Sequence, residues 1–103
     1  MIVNINLNIH YTAPKWVWDR IDEVYRSMPY FDETAQYPIW RSEGILIEAS
    51  SEPSGLQFYG NLPEDVWEEW YGELKEKLEE ALETEIGEPE DGVPFKYDWD
   101  QDK

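Results

Sequence analysis

Residues 63–82, PEDVWEEWYGELKEKLEEAL, decide the fold. Trp67, Trp70, Tyr71, Leu74, Leu78, Ala81 and Leu82 recur with the 3.6-residue period of a helix over four turns. Pro63 suits a helix opening, and Glu64 and Asp65 place negative charge at the positive end of the helix dipole. Gly87 is the expected C′ residue beyond its end. A helix with an apolar stripe this aromatic has to be covered by a second layer.

The residues before it supply that layer as strands. Leu56–Tyr59 reads as a strand entered through Glu52-Pro53-Ser54-Gly55, which fits a type I turn with Pro second and Gly fourth. Pro38–Arg41 and Ile45–Ser50 form a hairpin around Ser42-Glu43-Gly44. Residues 29–38, PYFDETAQYP, are bracketed by prolines and read as a loop that carries Tyr30, Phe31 and Tyr37. Upstream, Val17, Ile21, Val24, Tyr25 and Met28 mark one stripe of a shorter helix, with Thr12 as its N-cap, Pro14 in its first turn and Pro29 as its stop. Residues 1–11 alternate: Val3, Ile5, Leu7, Ile9 and Tyr11 point one way, and Asn4, Asn6, Asn8 and His10 the other. That is a half-buried strand.

Beyond Gly87 the chain is acidic and contains Pro and Gly, so 88–103 is expected to be a mobile tail or, from the alternation of Phe95, Tyr97 and Trp99, an edge strand. The expected fold is α+β: a two-layer sandwich in the order β-α-β-β-β-α(-β), with two amphipathic helices on a mainly antiparallel sheet. The 103 residues fit one domain, and the predicted core is Val17, Ile21 and Val24 against Trp67, Trp70, Leu74 and Leu78.

Composition narrows the chemistry. There is no Cys, which excludes disulfides and thiolate metal sites and suits a cytoplasmic setting. The N-terminus lacks the basic and apolar regions of a signal peptide, and no apolar run approaches the ~20 residues that span a bilayer. His10 is the sole histidine and sits among asparagines, so it has no catalytic or zinc-binding companions. Asp98, Asp100 and Asp102 share the spacing that opens a calcium loop, but Lys103 stands where that loop needs Gly. No G-x-S-x-G elbow and no glycine loop for phosphate is present. The expectation is therefore no catalytic residue, no cofactor and no metal.

Charge is the strongest remaining signal. Twenty-four acidic residues face eight basic ones, for a net charge of −16. Residues 61–103 hold sixteen acids and four bases (−12), against eight acids and four bases (−4) in residues 1–60. In the second helix Glu69/Glu73, Glu76/Glu80 and Glu79/Glu83 are like-charged i,i+4 pairs, and Glu83 and Glu85 fall where the dipole prefers cations. Acids placed against helix physics point to a function in binding. The expected partner is a basic protein rather than nucleic acid or membrane, both of which this charge repels. Glu69, Glu73, Glu76, Glu80 and Glu83 are the candidate contacts, with Tyr30, Phe31, Tyr37 and Trp16 as aromatic anchors. An inhibitor or immunity-type protein fits this size and charge as a class. The alternatives are a nucleic-acid mimic that blocks a DNA-binding protein and a small carboxylate-dependent enzyme.

Overall fold

In a computed structural model that describes residues 1–101, the elements run β1 (Ile2–Leu7), α1 (Lys15–Ser27), β2 (Ile39–Ser42), β3 (Ile45–Glu52), β4 (Gly55–Asn61) and α2 (Glu64–Leu82), then a 3₁₀ turn at Pro89–Asp91. The four strands form one sheet in the order β1-β4-β3-β2, with every neighbouring pair antiparallel. The fold is the expected α+β arrangement of two helices on an antiparallel sheet. No helix among the described residues is long and apolar enough to cross a membrane.

The strands pair through the predicted turns. Gly44, with φ 72°, turns β2 into β3, and Gly55, with φ 126°, begins β4. A side chain at Gly55 would strike the Leu7 carbonyl, so β4 approaches β1 there as only glycine permits. The inward positions of the sheet, Val3, Leu7, Trp40, Ile47, Ala49, Leu56 and Phe58, are buried against Val17, Ile21, Val24 and Tyr25 of α1 and Trp67, Trp70, Leu74, Leu78 and Leu82 of α2. At the centre, Tyr25 meets Trp40 edge-on at 4.8 Å and Trp40 meets Trp70 at 5.1 Å. Such contacts add to the burial term of large rings.

Both helix ends differ from the sequence reading. Thr12 does not cap α1. The cap position is Pro14, and the Thr12 hydroxyl instead lies 2.7 Å from His10 Nδ1. Gly87 is not the C′ residue of α2. The helix stops at Leu82 with Glu83 in the left-handed region at φ 55°, and Glu85 lies beyond the last turn. The Ile86 amide then donates to Glu79 Oε2 at 3.2 Å, which ties the chain leaving the helix back to its last turn.

Gly87 and the segment after it dock on the end of β1 through Asn8. The alternation put Asn8 on the solvent side, but only 2 % of it is exposed. Its Nδ2 donates to the carbonyls of Glu85 (2.9 Å) and Pro94 (3.2 Å), and its Oδ1 accepts from the Gly87 amide (3.0 Å). Its own amide donates to Gly87 O (3.0 Å) and its carbonyl accepts from Lys96 N (3.2 Å). Among the described residues the tail is thus a strap that meets the sheet side of the fold through one isolated parallel bridge, Ile9 to Lys96, and forms no edge strand. Tyr11, expected on the buried side, is exposed because β1 ends at Leu7. Asp102 and Lys103 lie outside the described residues.

Candidate functional site

The period of α2 buries its Trp/Leu stripe and turns its acids outward. Glu69, Glu73, Glu76 and Glu80 follow one another at four- and three-residue steps, so they line up on one side of the helix, and Glu83 lies just past its end. Glu69, Glu76 and Glu80 are exposed, and none has an ion pair among the described residues. Glu73 is half-buried and pairs with Lys77 at 3.0 Å, while Glu83 lies 3.9 Å from Arg20. The two cations also link the helices. Lys77 donates to Ser27 O (3.3 Å) and Oγ (3.2 Å), and Arg20 donates to the Ala81 carbonyl (2.8 Å) in the last turn of α2. Arg20 thus supplies the positive charge that the end of α2 lacks in its own sequence. The repulsion expected between Glu79 and Glu83 is eased on both sides: Glu79 caps Ile86 and Glu83 faces Arg20.

The Tyr30 loop meets the N-terminal half of this stripe. Pro29 and Tyr30, with Val66, Glu69, Trp70 and Glu73, wall a notch of about 100 Å³. The Trp70 indole N–H donates to the Pro29 carbonyl at 3.2 Å, which ties loop to helix. Tyr30 is 41 % exposed and sits at φ 74°, a costly conformation for a residue with a Cβ. Its carbonyl is held there by the Arg41 amide at 2.8 Å. Phe31 packs on Trp40 at 6.1 Å under the guanidinium of Arg26. Next to it, Asp32 accepts hydrogen bonds from the hydroxyl and amide of Thr34, with Arg41 alongside, and these hold its carboxyl below the usual range.

The other two aromatic candidates lie elsewhere. Tyr37 is exposed with its hydroxyl 3.2 Å from Glu48 Oε1; since Ile47 and Ala49 face the core, Glu48 lies on the sheet face away from the helices. Trp16 is buried. It meets Trp99 edge-on at 5.7 Å, donates its N–H to the Asp100 carbonyl and lies under Arg20, whose guanidinium is 4.9 Å from the ring centroid. The structure therefore brings together Tyr30, Glu69 and Glu73, extends that patch along Glu76, Glu80 and Glu83, and sets Phe31 beside it.

Two features escaped sequence reading because they join distant segments. His10 gathers Tyr11 (4.3 Å), Tyr97 (5.2 Å) and Phe95 (6.1 Å) into a ring cluster at the strap. Tyr71 donates to Glu88 Oε2 at 3.3 Å, and burial, followed by the charge of Asp91, raises the Glu88 pKa. No group of three His, Asp or Glu side chains converges to hold a metal among the described residues, and Asp98 is paired with Lys96 at 3.1 Å. Compared with protein-family models, with curated proteins and with solved structures, the chain matches none.

Proposed function

We propose that this protein binds a basic protein partner through the acidic side of α2 and the adjoining Tyr30 loop, and that it acts as an inhibitor of that partner by covering a cationic surface. The supporting observation is the line of Glu69, Glu76 and Glu80, exposed and without an ion pair among the described residues, beside a Tyr held at positive φ. Carboxylates arranged this way steer a cationic protein into contact and set the salt dependence of association, while one or two rings supply the desolvated anchor. A cytoplasmic setting suits a chain without cysteine. The nucleic-acid mimic is the weaker reading, because Lys77 and Arg20 interrupt the row of negative charge at Glu73 and Glu83.

The test compares the parent with the Glu69→Gln/Glu76→Gln/Glu80→Gln variant as bait in lysate of the source cell, at low and high salt. A basic protein retained in stoichiometric amount by the parent, released by salt and not retained by the variant supports the reading. The variant itself should unfold at the same or a higher temperature, since it removes like-charge contacts. If both baits retain the same proteins at low salt, the acidic side of α2 is a solvated surface only.

A further inference from the structure

Of the two edges of the sheet, one is closed. Along β2 the Asp32 amide donates to the Ile39 carbonyl (3.0 Å) and the Arg41 amide to the Tyr30 carbonyl (2.8 Å), so the Tyr30 loop covers that edge. Along β1 the Met1 carbonyl accepts from the Leu62 amide beside β4, while the Asn8 amide and carbonyl bond to Gly87 and Lys96 of the strap. Odd-numbered residues of β1 therefore bond to β4, and even-numbered ones face outward. The strap takes Asn8. The outward amides and carbonyls of Ile2, Asn4 and Asn6 meet no partner among the described residues. A bare edge is ordinarily guarded by lysine, proline or a bulge. Ile2–Leu7 has no charged residue and no proline, and its register with β4 runs without a bulge. The charge of the chain also avoids this place: residues 1–14 and 53–63, which carry β1 and β4, contain none of the twenty-four acids and eight bases.

We propose that the edge of β1 pairs with the β1 edge of a second copy of this chain, antiparallel about a two-fold axis at Asn4, so that the two sheets become one. In this register Asn4 faces the partner's Asn4 and Ile2 faces the partner's Asn6, and every bare group of the edge is bonded. An axis nearer Leu7 would set the partner's strand against Asn8, which the strap already occupies, and one nearer Ile2 would leave Asn6 outside the paired strands. The side chains agree with the axis at Asn4. On the helix side the half-buried Ile5 faces the partner's Val3, apolar against apolar. On the open side the Asn4 amides meet across the axis, and Ile2, 58 % exposed, is covered in part by the partner's Asn6. Neutrality selects the occupant. A cationic segment finds no carboxylate on β1 or β4, whereas two copies meet there without opposing like charges. The edge shares no residue with the acidic side of α2 and stands independently of the function proposed for it.

The experiment is sedimentation equilibrium of the full chain at low and high salt. One strand on one strand is at the small end of protein interfaces, so a dimer with a Kd of roughly 0.01–1 mM is expected. The net charge of −16 on each copy opposes association, so raising salt from about 0.05 M to about 0.5 M should tighten the dimer at least about threefold. That is the opposite of the response expected for a basic partner. Asn4→Pro removes the amide at the axis and should weaken the dimer at least about tenfold while the circular dichroism of the fold is kept. Because the chain has no cysteine, Asn4→Cys places a single thiol at the axis. Directly opposed residues of a bonded pair lie about 5.5 Å apart at Cα, within the span of a disulfide. Under mild oxidation this variant should form a linked dimer faster than Ser50→Cys, whose thiol would stand exposed on β3. A parent that stays monomeric at about 1 mM in high salt overturns the proposal. So does a dimer that salt dissociates or that Asn4→Pro leaves unchanged. If Asn4→Pro does not fold, the two thiol variants decide: faster linkage of Asn4→Cys supports the axis, and equal rates overturn it.

Discussion

Asn8 satisfies three backbone groups with one side chain and two more through its own peptide, and all five contacts hold the return of the chain from α2. Removing the side chain strands the Gly87 amide and the carbonyls of Glu85 and Pro94 in a region that the strap shields from water. Each stranded group costs roughly 1–3 kcal/mol, reduced where water can enter, so Asn8→Ala is expected to lower stability by about 2–4 kcal/mol in urea unfolding. A loss below about half a kcal/mol would show that the strap does not depend on this residue. The sequence placed Asn8 with Asn4 and Asn6 on the wet side, because alternation reports which way a side chain points and not what returns to cover it. Trp16 was hard to read for the same reason: it falls off the stripe of α1, and its covering ring, Trp99, lies 83 positions later. Both residues have roles set by sequence-distant partners, and no local period carries that information.

Among elements, α2 was the most legible, because four turns of aromatic and Leu residues admit one buried side. Leu74 is fully buried in the middle of that side, and Leu74→Ala should cost about 2–5 kcal/mol in denaturant unfolding. Its C-terminus was misplaced because a Gly is the usual stop, whereas here Glu83 adopts the left-handed conformation beside Arg20. The edge strand β1 offers a sharper contrast. Asn8 turns its peptide groups outward to the strap, so by alternation Ile2, Asn4 and Asn6 do the same, while Val3, Ile5 and Leu7 bond to β4. Proline at position 4 therefore removes an outward amide and the Asn4–Gln57 surface bond, whereas proline at position 3 removes a ladder bond. In thermal unfolding Asn4→Pro should be tolerated far better than Val3→Pro. A larger loss at position 4 than at position 3 would mean that the register of β1 is shifted by one residue. The strap is the element that sequence resolved least. Its alternating rings suggested pairing, yet Trp99 contributes by burial beneath Trp16, and Trp99→Ala should cost about 3–5 kcal/mol if that packing is as tight as its position indicates.

For the whole molecule, the excess of sixteen negative charges sets how stability responds to solvent. The folded chain holds carboxylates closer together than the unfolded one, so self-repulsion opposes folding at neutral pH, and salt, which at 0.1 M largely screens exposed charges more than about 10 Å apart, should raise the unfolding temperature. Two groups respond to pH in opposite directions. Asp32 is held below its ordinary range by Thr34 and Arg41, so its contribution is present above that range and is lost as pH falls through the folded value. Glu88 is raised by burial and by Asp91, so folding favours its protonated form; that contribution is present in acid and is lost as pH rises from the usual glutamate range through the folded value. At neutral pH the Glu88 carboxylate is thus kept at a cost, which the Tyr71 hydroxyl offsets in part. Glu88→Gln keeps an acceptor for Tyr71 and removes the charge facing Asp91 and Glu90. It is expected to raise the unfolding temperature at pH 7, with the difference from the parent closing as pH falls towards about 4, where the parent's Glu88 is itself protonated. Differential scanning calorimetry of both proteins across that range checks the sign. A variant less stable than the parent at pH 7 would mean that the charged hydrogen bond from Tyr71 outweighs the repulsion, and that the junction of α2 with the strap is held by that bond rather than strained by its charge.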